Sequence, residues 1–497
     1  MTPNFESYKI LFLNTLAFTV CFMCWTLNGV LVTYLTDTGI YHWDSVQVGW
    51  LFGIPILSGS IFRLPVGMLT DKFGGKWVFS LLLILCSLPM FLVSYADSFF
   101  MFAVLSFLWG LVGTGFAVGI AFTSVWFPKN RQGTALGIFG AGNAGSAVTT
   151  LLAPTLLKQF TNDGTYPEGW KWLPVIYAAA LFAMGMLFIF FAKNKKPENG
   201  PVRNLREEME PLKSARVWRF GLYYLLVFGC FVAFAQWLVP YYVSVYTMPL
   251  VTAGLLASVF SLPSGVIRAL GGWMSDKWGA RKVMYWVLGL SIVLSALLIF
   301  PKMEIYSPGF GVISNTKGVV TSVSEDEITV GENKYDLVRK PEETTAMKDG
   351  RVLVLPTIDS WQDAMVKEGE EVKRKQLLAQ GQTRIFFQAN VWIFTAIVMM
   401  IGIAWGIGKA AVYKFIPEYF PNQVGVVGGM VGVIGGLGGF LCPIIFGYLL
   451  KATGLWTSSW MFMCILSVLC FYLLTRTVSR MMNKKSPELV HKIEFAD

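Results

Sequence analysis

Apolar residues dominate this chain in long runs that are nearly free of charge, and polar residues collect in the short stretches between them. A helix of about 20 apolar residues spans a bilayer. The pattern predicts twelve such helices, over residues 9–34, 46–70, 76–96, 99–126, 132–157, 172–192, 217–245, 250–275, 281–301, 386–416, 422–449 and 455–478. One stretch, 303–384, breaks the rhythm: it is polar and lies between spans nine and ten. Its runs Val319–Val323, Glu327–Val330 and Arg351–Leu355 alternate or are β-branched, which predicts strands.

The pattern also repeats. Gly49–Lys76 shifted by 205 residues falls without a gap on Gly254–Arg281, superposing Arg63, Gly67, Asp71, Lys72 and Gly74 on Arg268, Gly272, Asp276, Lys277 and Gly279. Spans four and ten match similarly: Gly113, Gly115 and Phe116 correspond to Gly406, Gly408 and Lys409. A chain that repeats its membrane helices is built from two similar halves. We divide it into a six-helix half (1–192), a linker (193–216), the start of the second half (217–302), a β-rich insert (303–384) and the remainder with its tail (385–497).

Composition agrees with a membrane protein. The 497 residues are 55% hydrophobic and 14% charged, with mean hydropathy +0.56. The net charge of +10 is read as the preference of Lys and Arg for cytoplasmic loops, not as a nucleic-acid surface. Lys72 and Lys76 follow span two, Lys129 and Arg131 follow span four, and the linker carries Lys193, Arg203, Arg206 and Lys213. Both termini are therefore expected in the cytoplasm of a bacterial inner membrane, with the insert on the opposite side. All seven cysteines lie in apolar runs, so no disulfide framework and no metal spacing is read. No Ser/His/Asp set or nucleotide loop is present either, so neither an enzyme nor a cofactor is expected.

The chemistry concentrates in the repeated arginines. Arg63 and Arg268 each lie eight residues inside a helix from its closing aspartate, about 12 Å at 1.5 Å per residue. A charge inside a span costs about 2.5–3.5 kcal/mol, so it must face a cavity or a partner. No Asp or Glu lies within the twelve runs except at helix ends. Two unpaired guanidinium groups point to an anion, because guanidinium offers paired donors to a planar oxyanion. Phe116 and Lys409 each stand eleven residues before a Phe-Pro, near mid-membrane depth. Lys409 is a candidate coupling residue able to take up and release a proton. Spans five and eleven are glycine-rich, with Gly428, Gly432, Gly435 and Gly439 at spacings that flatten a helix face. Asn143 is the amide in that part of span five. The charged turns at Asp71-Lys72 and Asp276-Lys277 read as gating latches between the halves, not as ligands.

Phe127–Ala147 (FPKNRQGTALGIFGAGNAGSA) and Gly428–Gly447 (GGMVGVIGGLGGFLCPIIFG) resemble the two signature segments of the nitrate/nitrite porters of the major facilitator superfamily. Ile61–Pro65 and Ile267–Gly279 resemble that family's arginine helices. The resemblance implies an all-α major facilitator fold in two six-helix halves. It implies that Arg63 and Arg268 clasp nitrate or nitrite, that Phe116 and Phe228 stack on the planar ion, that Tyr224 donates to it, and that Asn143 lies close by. The expected partners are these anions and the lipid bilayer, around a monomer. Alternatives are nitrate/proton symport, carriage of formate or oxalate, and a transporter-like sensor whose insert meets an external partner. The insert is outside the family pattern. Its stretch Val366–Gly381 resembles the hairpin of barrel-sandwich (lipoyl and biotinyl) domains. Ala346-Met347-Lys348 resembles a biotin triplet, but Asp349 replaces the second methionine and the triplet precedes the hairpin, so a small β-module without a prosthetic group is expected.

Arg63→Lys and Arg268→Lys are each expected to abolish most anion uptake in cells while membrane insertion, followed by immunoblot, is retained. Lysine keeps the charge and loses the fork.

Overall fold

A computed structural model describes residues 4–196, 210–300, 303–340, 357–387, 390–420 and 424–485. Among the described residues, ten helices are long and apolar enough to cross a membrane, and counting each of two bent pairs as one span brings the number to twelve. Span one covers Phe5–Asp37, span four Phe99–Trp126, span five Thr134–Phe160, span seven Ala215–Tyr246, and span nine Ala280–Leu297. Spans two and eight are the bent pairs, Ser45–Ile61 with Arg63–Phe73 and Leu250–Val266 with Arg268–Trp278. Spans ten, eleven and twelve are Val391–Tyr419, Val424–Thr453 and Ser458–Lys485.

Local chemistry sets these boundaries. Asp44 and Gln47 form a reciprocal capping box at the start of span two, so both orphan donors there are satisfied. Asn4 and Ser98 cap spans one and four in one direction only, their side-chain oxygens accepting from the backbone N–H of Ser7 and Met101. The repeated turns after spans two and eight pivot on Gly74 and Gly279, with φ of 88° and 85°. A side chain rarely tolerates that region, which explains why both copies keep glycine there. Hydroxyls within the spans donate back to the preceding turn, as in Thr33 to Gly29 and Ser275 to Gly271, so these polar groups do not require water. Span ten begins later than the apolar pattern predicts. Residues 385–387 continue a strand, and hydropathy alone does not separate a buried strand from a helix start.

The chain forms two compact units, one of Met1–Ile299 with Ile397–Asp497 and one of Phe300–Ala396. The smaller is β-rich, with strands β1 (Met303–Ile313), β2 (Gly318–Val323), β3 (Glu327–Val330), β4 (Asn333–Asp336), β5 (Thr357–Ala364), β6 (Glu371–Val372) and β7 (Leu377–Phe387). They make an antiparallel three-stranded sheet, β1-β7-β5, and a four-stranded sheet, β4-β3-β2-β6. Val320, Ile328, Val330, Val372 and Leu378 fill the core between them. Two strands predicted from the sequence, at Val319–Val323 and Glu327–Val330, match β2 and β3. The Val366–Gly381 stretch is not a hairpin: β6 pairs with β2, whereas β7 pairs with β1 and β5. Ala346–Lys348 and Arg351–Leu355 lie outside the described residues.

Since β2, β3, β6 and β7 share one core, replacing residues 303–387 by a short Gly/Ser loop removes that core as a whole. The helical unit is expected to keep its thermal midpoint within a few degrees, measured by fluorescence-detected size exclusion. Loops joining adjacent elements tolerate length changes well.

Candidate functional site

The residues singled out by the sequence stand where the helices are irregular. Arg63 and Arg268 are each the first residue after a break, in helices bent by 41° and 45°. In the first copy Pro65 explains the bend, because its ring collides with the carbonyl of Ile61 and removes a hydrogen bond. The second copy has no proline there. Phe116 follows a 3₁₀ turn, Leu111–Thr114, and Asn143 lies within another, Ala141–Ala144. Tyr224 immediately precedes a π-helical turn, Leu225–Gly229, that carries Phe228. Such turns re-aim side chains that a regular helix would place elsewhere, and they recur at functional sites. Lys409 alone sits in an unbroken helix.

These breaks bring the arginines together across the two halves. Arg63 is 4% exposed, and its Nη1 donates to the carbonyl of Gly432 in span eleven at 2.7 Å. Its guanidinium carbon lies 5.4 Å from the Trp25 ring, 5.3 Å from Phe116 and 5.5 Å from Phe228. Arg268 reaches the opposite way, its side chain lying along Gly140 of span five. It stands 5.6 Å from the same Phe116 ring and 5.4 Å from Tyr413. One phenyl ring therefore borders both cations. Phe116 and Phe228 are near parallel, with centroids 6.4 Å apart and planes 24° apart. Two aromatic contact distances of about 3.5 Å need about 7 Å, so the rings must part slightly to take a planar ion between them.

The unpartnered groups are mostly donors. Arg63 Nε, Arg268 Nη1, Tyr224 Oη and both amide atoms of Asn143 are buried without a partner among the described residues. No ion pair among those residues includes either arginine. Buried polar groups are normally satisfied. Guanidinium groups donate only, so what satisfies them must accept, and negative charge makes the bond stronger.

Glycines make the close packing possible. A Cβ on Gly113 would lie 2.3 Å from the Trp25 indole, and one on Gly435 would lie 2.2 Å from Tyr224. Gly432 and Gly436 leave room for Arg63 on span eleven. Two ring residues beside the arginines, Trp25 and Tyr413, were not anticipated from the sequence. The signal for Tyr413 was its place one turn after Lys409 on the same helix face. Lys409 is itself fully buried, donating to Ser264 Oγ at 3.1 Å with its Nζ 3.2 Å from the Phe231 centroid.

The charged turns are arranged unequally. Asp276 pairs with Lys414 at 2.6 Å, within its own half. Lys72 lies over Phe73, and Lys277 over Trp273 and Trp278. Asp71 forms no ion pair among the described residues. Near these turns, Cβ atoms on Gly67, Gly137 and Gly272 would meet open space. At the other end the halves touch closely. Ser45 Oγ donates to Gly447, Lys451 pairs with Asp44 at 2.7 Å, and a Cβ on Gly49 would meet the Pro443 carbonyl at 2.4 Å.

The family model described as Major Facilitator Superfamily matches residues 13–320 and 377–493. The chain belongs to that superfamily. Among its relatives, this major facilitator is 35% identical to "Probable nitrate/nitrite antiporter NarK1" of Thermus thermophilus, over 99% of this chain and 96% of that one. It is 25% identical to the "Nitrite extrusion protein" of Bacillus subtilis, over 93% and 92% of the two chains. It is 27% identical to "Probable nitrate transporter NarT" of Staphylococcus carnosus, over 96% and 97%. The fold resembles the crystal structure of a bacterial homologue of the human lysosomal transporter Spinster, inward-facing and occupied. That match has a TM-score of 0.63 at 13% identity and covers 96% and 98% of the chains. The nucleoside transporter NupG matches with a TM-score of 0.59 at 12% identity, covering 95% and 99%.

Gly435→Ala places a methyl group against Tyr224, which stacks on Phe228 at 5.0 Å. The expected result is a rise of about tenfold in the KM for anion, with thermal stability lowered by about 1–3 kcal/mol. Uptake kinetics and a melting curve on one preparation separate the two effects.

Proposed function

We propose that the protein exchanges nitrate for nitrite across a bacterial inner membrane by alternating access, with Arg63 and Arg268 clasping the ion. The observation that carries this reading is the set of unpartnered buried donors from both halves beside two near-parallel rings, with no carboxylate paired to either arginine among the described residues. A planar monovalent anion meets both demands, its oxygens accepting from the guanidinium and Tyr224 groups and its faces lying against Phe116 and Phe228. Asn143 supplies a further amide nearby. The names of the relatives point to the same ions.

Exchange follows from the charges. A major facilitator moves its substrate by rocking one half against the other around a central site. Two cations drawn together without an anion repel, and in a low-dielectric interior they repel strongly. The loaded carrier closes, and the empty one stalls. In this reading both termini and the Asp71 and Asp276 turns face the cytoplasm, and those turns latch the halves when the other end opens. The insert serves no step of transport, and the carrier works as a monomer.

Lys409 favours a second reading, nitrate/proton symport, because a fully buried amine can carry a proton with the anion. Proteoliposomes loaded with nitrite and given labelled nitrate separate the readings. Exchange predicts uptake that requires nitrite inside and leaves lumenal pH unchanged. Uptake into nitrite-free vesicles with acidification of the lumen would overturn exchange in favour of symport. Equal competition by formate and nitrate would overturn the substrate assignment.

A further inference from the structure

Spans seven and ten run antiparallel and meet in a ladder of aromatic rungs. Phe220 stacks on Phe415 with centroids 5.3 Å apart, Tyr224 meets Tyr413 at 4.9 Å, and Phe234 meets Trp405 at 6.1 Å. One rung is different: there Phe231 faces the ammonium of Lys409. An apolar residue would complete the ladder at lower desolvation cost, since a buried cation is expensive unless it is paired. No ion pair among the described residues includes Lys409.

Helix geometry fixes its height. Lys409 precedes Tyr413 by four residues, as Ser264 precedes Arg268, and Phe231 follows Phe228 by three. Tyr413, Arg268 and Phe228 border the arginine site, so Lys409, Ser264 and Phe231 form a second layer one turn away, about 5.4 Å. That layer lies on the side opposite the Asp71 and Asp276 turns. Span five links the two heights. Gly140 lies beside Arg268, and a Cβ on Gly265 would meet Ala144 N at 2.7 Å. Asn143, whose buried amide has no partner, lies between.

We propose that Lys409 and Ser264 form a second anion station, stacked on the arginine site and reached first by ions entering from the side opposite those turns. This rests on the carrier reading above. In this structure the halves are closed over that side by the Ser45–Gly447 and Asp44–Lys451 contacts. Lys409 is correspondingly sealed, one ammonium hydrogen on Ser264 and the charge over a ring. When the halves part there, the Gly265–Ala144 contact separates and the ammonium meets the entering ion before the arginines do. The ion then descends one turn to the clasp. Departure toward the Asp71 and Asp276 turns does not pass this layer.

The test is sidedness, measured with labelled nitrate against trans nitrite in right-side-out and inverted membrane vesicles from the same cells. Lys409→Met is expected to raise KM about tenfold for ions presented opposite the turns, and to leave it within about twofold on the turn side. Ser264→Ala shifts it in the same direction by less. Lys409→Arg restores most of the loss, because it keeps the cation and cannot release a proton. An equal change on both sides, or none on either, overturns the station. So does failure of Lys409→Arg to rescue when the parent acidifies the lumen, which would make Lys409 a proton carrier. A parent that carries formate but not nitrate refutes the nitrate assignment alone, and sidedness is then read with formate.

Discussion

Two guanidinium groups that cannot give up their charge sit between two halves of one chain, Arg63 buried and Arg268 half-buried, and neither is neutralised by a carboxylate among the described residues. Much of the surrounding structure follows from keeping them there. Trp25, Phe116, Phe228 and Tyr413 surround the charges with ring faces, which attract cations without neutralising them. The Gly432 carbonyl satisfies one donor and leaves others open. Glycine must occupy the facing surface of span eleven, since side chains there would collide with Tyr224 and Ser60 and crowd Arg63. The helix breaks serve the same end, because each arginine leaves its helix at a bend and reaches into the opposite half.

The two halves are similar but not equivalent. Phe116 and Lys409 occupy corresponding positions, and so do Gly59 and Ser264. In the first half, Gly59 lets the helix pack against Trp25 and Gly113, and the ring at 116 faces the arginines. In the second half the hydroxyl of Ser264 occupies that space and receives the lysine. The repeat therefore has one aromatic wall and one cationic layer.

Much of this was legible in the sequence for physical reasons. Spans were visible because a bilayer demands length and apolarity, and the arginines because charge inside such a run is exceptional. The duplicated Asp-Lys turn was visible because Gly74 and Gly279 must adopt a left-handed backbone. What was hidden depends on contacts between distant segments. Trp25 looks like any interior tryptophan until the fold sets the Arg63 guanidinium 5.4 Å from its ring. Tyr413 reads as another apolar position. The π-helical turn that aims Phe228 leaves no mark in hydropathy. The pairings of β6 and β7 were misread because a local run of strand-like residues does not say which neighbour it joins.

In the clasp proposed above, the bond from Arg63 to the Gly432 carbonyl has a kinetic meaning. A backbone oxygen is a poor copy of a nitrate oxygen: it accepts from guanidinium but carries no net charge. It acts as a tethered rival that is always present, so an arriving ion must share the donor or evict the rival, and a departing ion leaves the donor already occupied. Tight binding is blunted and escape is hastened. For a carrier this is an advantage, since turnover requires an ion held firmly enough to be chosen and loosely enough to be let go.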